Sequence, residues 1–260
     1  MSFTIDVVAH CWRYERLLCH HLSAYLFSPP PSEITVNVKV CASFDDEPVR
    51  DVLKLSRWGR FPKNVHLQPQ LFPSKLLCRR AIARNELALA TTADWVWFAD
   101  IDYIPRQAFW RALVYQLKQQ PPEVLLAYPH RTGRSSQAGG DNLIKAVNLT
   151  TGFVCWASDQ PCIPVTNGDE ILGGVKMPFL TERTPAAIGG IQFVRGSYCR
   201  EHGYLNAAPR WHRPEKQWKR TFEDPAFRRA IGSEGTPIVA PGLLRIRHTQ
   251  RGRTDVGVRL

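Results

Sequence analysis

The chain has 260 residues, of which 44% are hydrophobic and 10% aromatic, so it is long enough to bury a large core and too apolar to be disordered. Its net charge is +11 at pH 7, and residues 181–260 hold 15 Lys and Arg against seven Asp and Glu. This excess favours phosphate-bearing ligands, nucleic acid or an anionic membrane surface as partners. No apolar run approaches the roughly 20 residues that span a bilayer.

The first residues lack the pattern of a secretory signal, and the seven Cys are not spaced as a disulfide framework. We therefore expect a cytoplasmic protein.

Strand and helix patterns alternate in the first half of the chain. The predicted elements are a strand at 3–9, a helix at 12–27, strands at 34–43 and 66–68, a helix at 75–90 with Ser74 as its N-cap, a strand at 95–99, a helix at 106–119 and a strand at 123–128. This alternation predicts an α/β, Rossmann-related fold with a mostly parallel sheet between helices.

The second half is less regular and predicts a C-terminal elaboration of a single domain over residues 1–260. A polar, glycine-containing loop is predicted at 130–141, strands or a helix–strand mixture at 143–157 and 170–178, a strand at 189–195, a helix at 215–231 and a strand region at 238–247.

The most informative segment is residues 95–105, an apolar strand that ends in Asp100 and Asp102. Alternation along an extended chain puts the two carboxylates on the same side. They repel each other unless a cation lies between them, and hard divalent ions take such oxygen ligands. Open α/β sheets bind ligands at the carboxyl ends of their strands. The segment therefore predicts a divalent metal site, with an ordinary acidic turn as the alternative.

The order of these motifs resembles a known family. A second strand ends in acids, the following helix carries Ala83-Arg84-Asn85, and an apolar strand leads into Asp-x-Asp. In this order the sequence resembles the nucleotide-sugar-dependent glycosyltransferases of the GT-A fold and is most similar to the broad family 2 type. Downstream, residues 189–195 resemble the acceptor-side strand of that family, and Glu223-Asp224 resembles its catalytic pair. The matches extend from about residue 3 to residue 231.

The resemblance implies a GT-A-like fold and transfer of a sugar, most commonly UDP-linked in such families, to an acceptor hydroxyl with inversion. Residues 1–130 would be the nucleotide-binding half and 131–260 the acceptor half. The donor would be contacted by Asp45, Asp46, Arg84 and Asp100. An acidic turn is the alternative for the first two of these residues, and a solvated helix position for Arg84.

The same resemblance assigns the general base to Asp224, with Glu223 orienting it. Capping of a helix N-terminus is the alternative for this pair. Many GT-A enzymes complete the shell of an Mn²⁺ or Mg²⁺ cofactor with a late His, which here would be His248 beside Asp100 and Asp102. A surface His in a basic segment is the alternative.

Several further expectations follow from single residues. Asn85 would tie its helix to the Asp100–Asp102 loop, and Trp211 with Trp218 would form either an acceptor platform or a hydrophobic anchor. We also expect residues 133–141 and 245–253 to become ordered over the diphosphate, the second through its arginines. Gln250 to Arg253 match the Gln-x-x-Arg part of the motif of polymerising members, but Thr254 replaces its Trp, which argues against a processive synthase.

Two other functions are compatible with parts of the sequence. A nucleotidyltransferase also uses strand-end carboxylates, but the first strand leads into His10-Cys11-Trp12-Arg13 and not into a glycine-rich phosphate loop. A basic nucleic-acid-binding protein would use the C-terminal charge, but no basic recognition motif is present, so nucleic acid is not an expected partner. The expected partners are a nucleotide-sugar donor and a glycan, lipid-linked or small-molecule acceptor, with peripheral contact to an anionic membrane also allowed.

Overall fold

The computed structural model describes residues 3–56, 61–147, 169–172, 175–214 and 222–249. The strands are β1 (Phe3–His10), β2 (Ile34–Ser43), β3 (Val65–Phe72), β4 (Trp95–Asp100), β5 (Tyr103–Pro105), β6 (Leu126–Pro129), β7 (Arg131–Ser135), β8 (Asp169–Leu172), β9 (Val175–Arg183), β10 (Ile191–Arg195), β11 (Thr236–Ile238) and β12 (Leu243–Arg245). The helices are α1 (Glu15–Phe27), α2 (Glu47–Ser56), α3 (Ser74–Leu77), α4 (Arg80–Leu89), α5 (Gln107–Lys118), α6 (Gln137–Ala146), α7 (Gly196–His202) and α8 (Glu223–Ile231), with a 3-10 helix at Pro209–His212.

A seven-stranded sheet forms the centre of the fold, in the order β11-β6-β10-β4-β1-β2-β3. Strand β1 is parallel to both of its neighbours, β2 and β4, and β2 is parallel to β3. Strand β10 is antiparallel to both β4 and β6. The prediction of a mostly parallel sheet flanked by helices is therefore confirmed. Strand β4 reads as an unbroken apolar run because helices or loops cover both of its faces.

Aromatic side chains pack on both faces of β4. On one face the Trp97 ring stacks on Phe193 at 5.2 Å and lies 5.5 Å from Phe109 of α5. On the other face the Phe98 ring meets Tyr204 edge-on at 4.8 Å. Full burial of one such side chain contributes about 1.5–3 kcal/mol. This packing fixes the end of β4, and with it the position of the acidic loop that follows.

A second sheet has the order β5-β12-β7-β9-β8. Its three-residue strand β5 begins one residue after Asp102 and pairs antiparallel with β12, so that Tyr103 lies opposite Arg245. The predicted loop at 130–141 is wrong. Strand β7 occupies residues 131–135 of this segment and pairs with β9 and β12. Helix α6 then begins at Gln137 behind the N-cap Ser136, whose hydroxyl accepts a hydrogen bond from the Gly139 N–H at 3.1 Å.

The helix predicted at 75–90 is divided into α3 and α4, because Arg79 adopts an extended conformation between them. Ser74 is not an N-cap: its hydroxyl lies 2.5 Å from that of Ser43 and donates to Asp45 Oδ2 at 2.8 Å. Strand β3 is longer than predicted. Of the helix predicted at 215–231 the structure describes 222–231. Of the segment predicted at 143–157 it describes 143–147, and 143–146 are the last residues of α6. None of the helices described is both long and apolar enough to cross a membrane.

Candidate functional site

The candidate residues follow the carboxyl ends of three neighbouring parallel strands. His10 at the end of β1 lies opposite Cys41 of β2 on one side and Asp100 of β4 on the other. The loops that leave these strands therefore start at the same edge of the sheet. Ligands of open α/β sheets bind at this edge.

Two arginines of α4 connect the Asp-x-Asp loop with the start of α8. Arg80 contacts Asp100 Oδ1 at 3.1 Å and Asp224 Oδ2 at 3.5 Å, and Arg84 contacts Asp100 Oδ1 at 3.4 Å and Asp224 Oδ1 at 3.2 Å. The two guanidinium groups lie on one face of the helix because four residues separate them. The structure thus brings together the two carboxylates that the sequence assigned to the donor and to catalysis.

Arg84 is fully buried, so the alternative of a solvated helix residue is wrong. Its guanidinium also donates to the Gly189 carbonyl at 2.8 Å and to the Tyr204 hydroxyl at 3.1 Å. Arg80 keeps 12% of its side chain exposed. Burial disfavours its charged form, but the carboxylates around it, Asp100 above all, outweigh burial and raise the pKa of Arg80.

Glu223 lies beneath this pair and is fully buried. Its Oε2 is 3.5 Å from Arg80 Nε, and neither of its oxygens accepts a hydrogen bond from a described residue. No side chain caps α8. The carboxylates of Glu223 and Asp224 are instead directed at the arginines of α4, which helix capping alone does not explain.

Two glycines let the backbone pass close to both carboxylates. A Cβ on Gly189 would lie 2.3 Å from Asp224 Oδ2, and one on Gly190 would lie 2.3 Å from the Tyr103 ring and 3.2 Å from the Asp100 Cβ. Any larger residue would displace the acids or the ring. This approach is a physical reason for the Gly-Gly pair that the sequence presents before β10.

Asp102 lies at the other end of the site. Its Oδ2 accepts a hydrogen bond from Arg245 Nε at 3.1 Å, whereas its Oδ1 is buried without a hydrogen-bond partner among the described residues. His248 Nδ1 is likewise buried and without such a partner there, and the His248 ring lies 5.5 Å from Tyr14. Burial raises the pKa of Asp102 although Arg245 opposes the shift.

Asp102 Oδ1 and His248 Nδ1 are atoms of the kinds that coordinate divalent cations. A carboxylate oxygen and an imidazole nitrogen, both lacking other partners, are ligands that Mn²⁺ accepts. Within the described residues, no three side chains of His, Cys, Asp or Glu are grouped as a metal site.

The two acids after β2 differ in their surroundings. Asp45 is exposed. Asp46 is buried, and its carboxylate accepts hydrogen bonds from the Arg13 N–H at 2.5 Å and the Val49 N–H at 3.4 Å. Burial raises the pKa of Asp46, and these hydrogen bonds oppose the shift. Asp46 therefore joins the loop after β1 to the first turn of α2.

Other expected contacts are different in the structure. Asn85 accepts a hydrogen bond from the Tyr204 N–H at 2.9 Å and donates to Asn206 Oδ1 at 3.2 Å, so it ties α4 to the turn after α7 and not to the Asp100–Asp102 loop. The Trp211 ring contacts Arg79 and Arg210, with its centroid 5.9 and 5.1 Å from their guanidinium carbons. Trp218 and residues 250–254 lie outside the described residues.

The segment before residue 250 is fastened to α6 and β7. The Arg247 N–H donates to Ser135 Oγ at 2.9 Å, and Thr249 donates to the Asp141 carboxylate through its N–H and its hydroxyl, both at 2.7 Å. A Cβ on Gly140 would overlap the Arg247 carbonyl.

Sequence reasoning missed Arg80 and Tyr204 as members of the site, and it placed Arg245 in the segment expected over the diphosphate but not beside Asp102. Arg80 carried a usable signal, because it precedes Arg84 by one helical turn. Arg245 and Tyr204 carried none, since their contacts depend on pairing between distant segments.

No protein-family model and no curated protein sequence matches the chain. Solved structures do match it. The mannosyltransferase PcManGT from Pyrobaculum calidifontis, in complex with GDP-Man and Mn²⁺, superposes with a TM-score of 0.50 at 13% identity, covering 93% of this chain and 56% of that one. This chain shares the fold of that structure. The similarity confirms the predicted GT-A-like architecture.

Two further structures resemble the chain less. S. aureus TarS 1-349 gives a TM-score of 0.48 at 10% identity over 95% of this chain and 58% of that one. Mouse xyloside xylosyltransferase 1 in its apo form gives 0.38 at 11% identity over 91% and 78%. The chain thus spans between half and two thirds of the mannosyltransferase and TarS structures.

Proposed function

We propose that the chain is a metal-dependent glycosyltransferase that moves a sugar from a nucleotide diphosphate sugar, with UDP as the expected nucleotide, to an acceptor hydroxyl with inversion. The observation that supports this most is the shared pairing of Asp100 and Asp224 with Arg80 and Arg84 at the carboxyl edge of the sheet. A transferase needs a donor-side group and an acceptor-side base close together. Its donor-side and acceptor-side halves would correspond to residues 1–130 and 131–260.

Charge balance supports the metal requirement. The site contains one carboxylate more than it has guanidinium groups, namely Asp100, Asp102, Glu223 and Asp224 against Arg80, Arg84 and Arg245. These seven groups taken alone would repel a diphosphate, and a metal cation would offset that repulsion. Asp100, Asp102 and His248 would hold Mn²⁺ or Mg²⁺, and the ion would supply the charge that stabilises the diphosphate as leaving group.

The protein's own groups would carry the proton transfer. The acceptor oxygen forms a bond to the anomeric carbon while the bond from that carbon to the diphosphate oxygen breaks, and the acceptor proton passes to Asp224. Arg80 and Arg84 contact the Asp224 carboxylate, and Glu223 contacts Arg80 and would orient Asp224 through it. Because Arg84 is fully buried, we assign it to positioning the Asp224 carboxylate. We assign the nucleotide contact after β2 to the exposed Asp45, since the Asp46 carboxylate already accepts hydrogen bonds from two backbone N–H groups.

A thermal-shift screen of UDP- and GDP-linked sugars, each with and without Mn²⁺, tests this proposal. A donor present at about 100 times its Kd stabilises the folded protein by roughly 2.7 kcal/mol, which for a chain of this size raises Tm by about 5–10 °C. We expect such a shift only when Mn²⁺ is present. The proposal fails if no nucleotide sugar shifts Tm while oligonucleotides bind with a steep salt dependence.

A further inference from the structure

The loop between β1 and α1 contains an arginine in a disfavoured backbone conformation. Arg13 has φ 60°, and among the described residues other than glycine only Leu205 shares a positive value. This left-handed region is costly for a long side chain. The buried Asp46 carboxylate holds the Arg13 N–H at 2.5 Å and so keeps the turn in place. Strain that is held in this way is typical of functional loops.

The positive charge of the Arg13 side chain acts on the Asp46 carboxylate without forming an ion pair with it. Its guanidinium carbon lies 5.0 Å from the centroid of the Trp12 ring, an arrangement that leaves the N–H groups at the guanidinium edge able to donate. It makes no ion pair with any carboxylate of the described residues. Arg80, Arg84 and Arg245 each hold at least one. Arg13 is therefore a cation at the edge of the site whose charge is available to a ligand.

The neighbours of Arg13 place it at the donor side. Tyr14, the next residue, contacts the His248 ring at 5.5 Å, and His248 acts electrostatically on Asp102. On the other side, Asp46 connects the loop to the turn that carries the exposed Asp45. Arg13 thus lies between the groups proposed for the nucleotide and those proposed for the metal, where the diphosphate of a donor would pass.

We propose that Arg13 binds the diphosphate of the nucleotide donor, an inference that rests on the proposed glycosyltransferase function. A guanidinium matches two phosphate oxygens at once. The strained turn, fixed by Asp46 and Trp12, presents that group before the ligand arrives, so less side-chain freedom is lost on binding.

The test uses a substitution that suits the backbone. Glycine adopts a positive φ readily, so Arg13→Gly removes the guanidinium without straining the turn. Kd values are measured by calorimetry with Mn²⁺ for UDP and GDP and for the matching monophosphates. We expect Arg13→Gly to weaken the diphosphate that the wild type binds by about tenfold or more, the loss that corresponds to one charge-assisted hydrogen bond. Monophosphate affinity and Tm are expected to change little.

Two further variants complete the design. Arg13→Lys keeps the charge but not the two-pronged geometry and is expected to lose less affinity than Arg13→Gly. Arg229→Gln removes an exposed cation on α8 and is expected to bind as the wild type does.

Unchanged diphosphate affinity in Arg13→Gly would overturn the inference while leaving the proposed function intact. An equal loss for monophosphates would also overturn it, since it would place the Arg13 contact on the nucleoside monophosphate part and not on the diphosphate as a whole. If the wild type itself bound neither UDP nor GDP, both this inference and the proposed function for these donors would fall together.

Discussion

The carboxylates of the candidate site are held in two different ways. At one end, Asp100 and Asp224 each contact the guanidinium groups of both Arg80 and Arg84, and Glu223 lies 3.5 Å from Arg80 without a hydrogen bond. At the other end, Asp102 Oδ1 and His248 Nδ1 are buried without a hydrogen-bond partner among the described residues. An unpaired buried polar atom costs free energy, whereas a paired one is compensated when the chain folds.

This difference indicates that the two ends of the site contribute to different properties. We expect the arginine-paired end to contribute to the stability of the fold and to the geometry of catalysis. A bound ligand would supply a partner to Asp102 Oδ1 and His248 Nδ1, so we expect this end to contribute to affinity. Substitutions on either side can separate these contributions.

The largest effect is expected from Arg84→Met. This substitution removes the fully buried donor that Asp100, Asp224 and the Gly189 carbonyl share, and leaves the two acids with Arg80 and, for Asp224, the Tyr204 hydroxyl. Loss of one partner of a buried ion pair costs about 3–5 kcal/mol. Urea unfolding measures the change in the free energy of unfolding. Arg80→Met is the matched comparison on the same helix; because 12% of the Arg80 side chain is exposed, water can replace part of its contacts and the loss should be smaller. Equal losses would show that burial does not distinguish the two arginines.

Asp224→Asn is expected to act on turnover and not on donor affinity. Asparagine keeps the shape of the side chain and can still accept from Arg84, but it cannot take the proton of the acceptor. Loss of a general base lowers the rate by about 10²–10⁴. Initial rates with a donor found in the thermal-shift screen measure the effect, and Asp51→Asn, an exposed acid on α2, is the control. Near-normal turnover would leave Asp224 with a purely structural role beside the arginines.

The fold was predictable where the local pattern was strong. The bounds of β2 agree with the prediction because Ile34, Val36, Val38 and Val40 alternate with less buried residues, and β4 is close to it because the apolar run is continuous. Strands β5 and β7 were not predictable. Strand β5 has three residues, and its partner β12 lies more than a hundred residues away in sequence, so no local signal marks it. Strand β7 is polar and contains a glycine, which resembles a loop.

The site was predictable to the extent that its acids follow strands. Asp100 and Asp102 could be located from one strand and its end, and Glu223 and Asp224 from the family resemblance. Their relation to one another was not predictable, because Arg80 and Arg84 connect them through contacts between distant segments. The metal, nucleotide and catalytic roles of these residues stay predictions until the variants are measured.

Asp102→Asn is expected to cause the smallest loss of stability. It also distinguishes most clearly between the contributions of the two ends of the site to stability and to affinity. Burial raises the pKa of Asp102, which means that folding favours the protonated form and that the ionised carboxylate at neutral pH costs stability. A neutral amide removes this cost, and Arg245, with 33% of its side chain exposed, can be hydrated when its partner is lost. The free energy of unfolding without ligand should therefore fall by less than about 1 kcal/mol.

Donor binding in the presence of Mn²⁺ should respond far more strongly to Asp102→Asn. Residues that merely orient metal ligands cost about 10–100-fold in affinity when they are replaced, and loss of a ligand itself should cost at least as much. Calorimetry with UDP and GDP, with and without Mn²⁺, checks this alongside urea unfolding of the same preparation. Unchanged Mn²⁺-dependent affinity would mean that Asp102 serves only to hold Arg245, and the contrast between the two ends would then lie in burial alone.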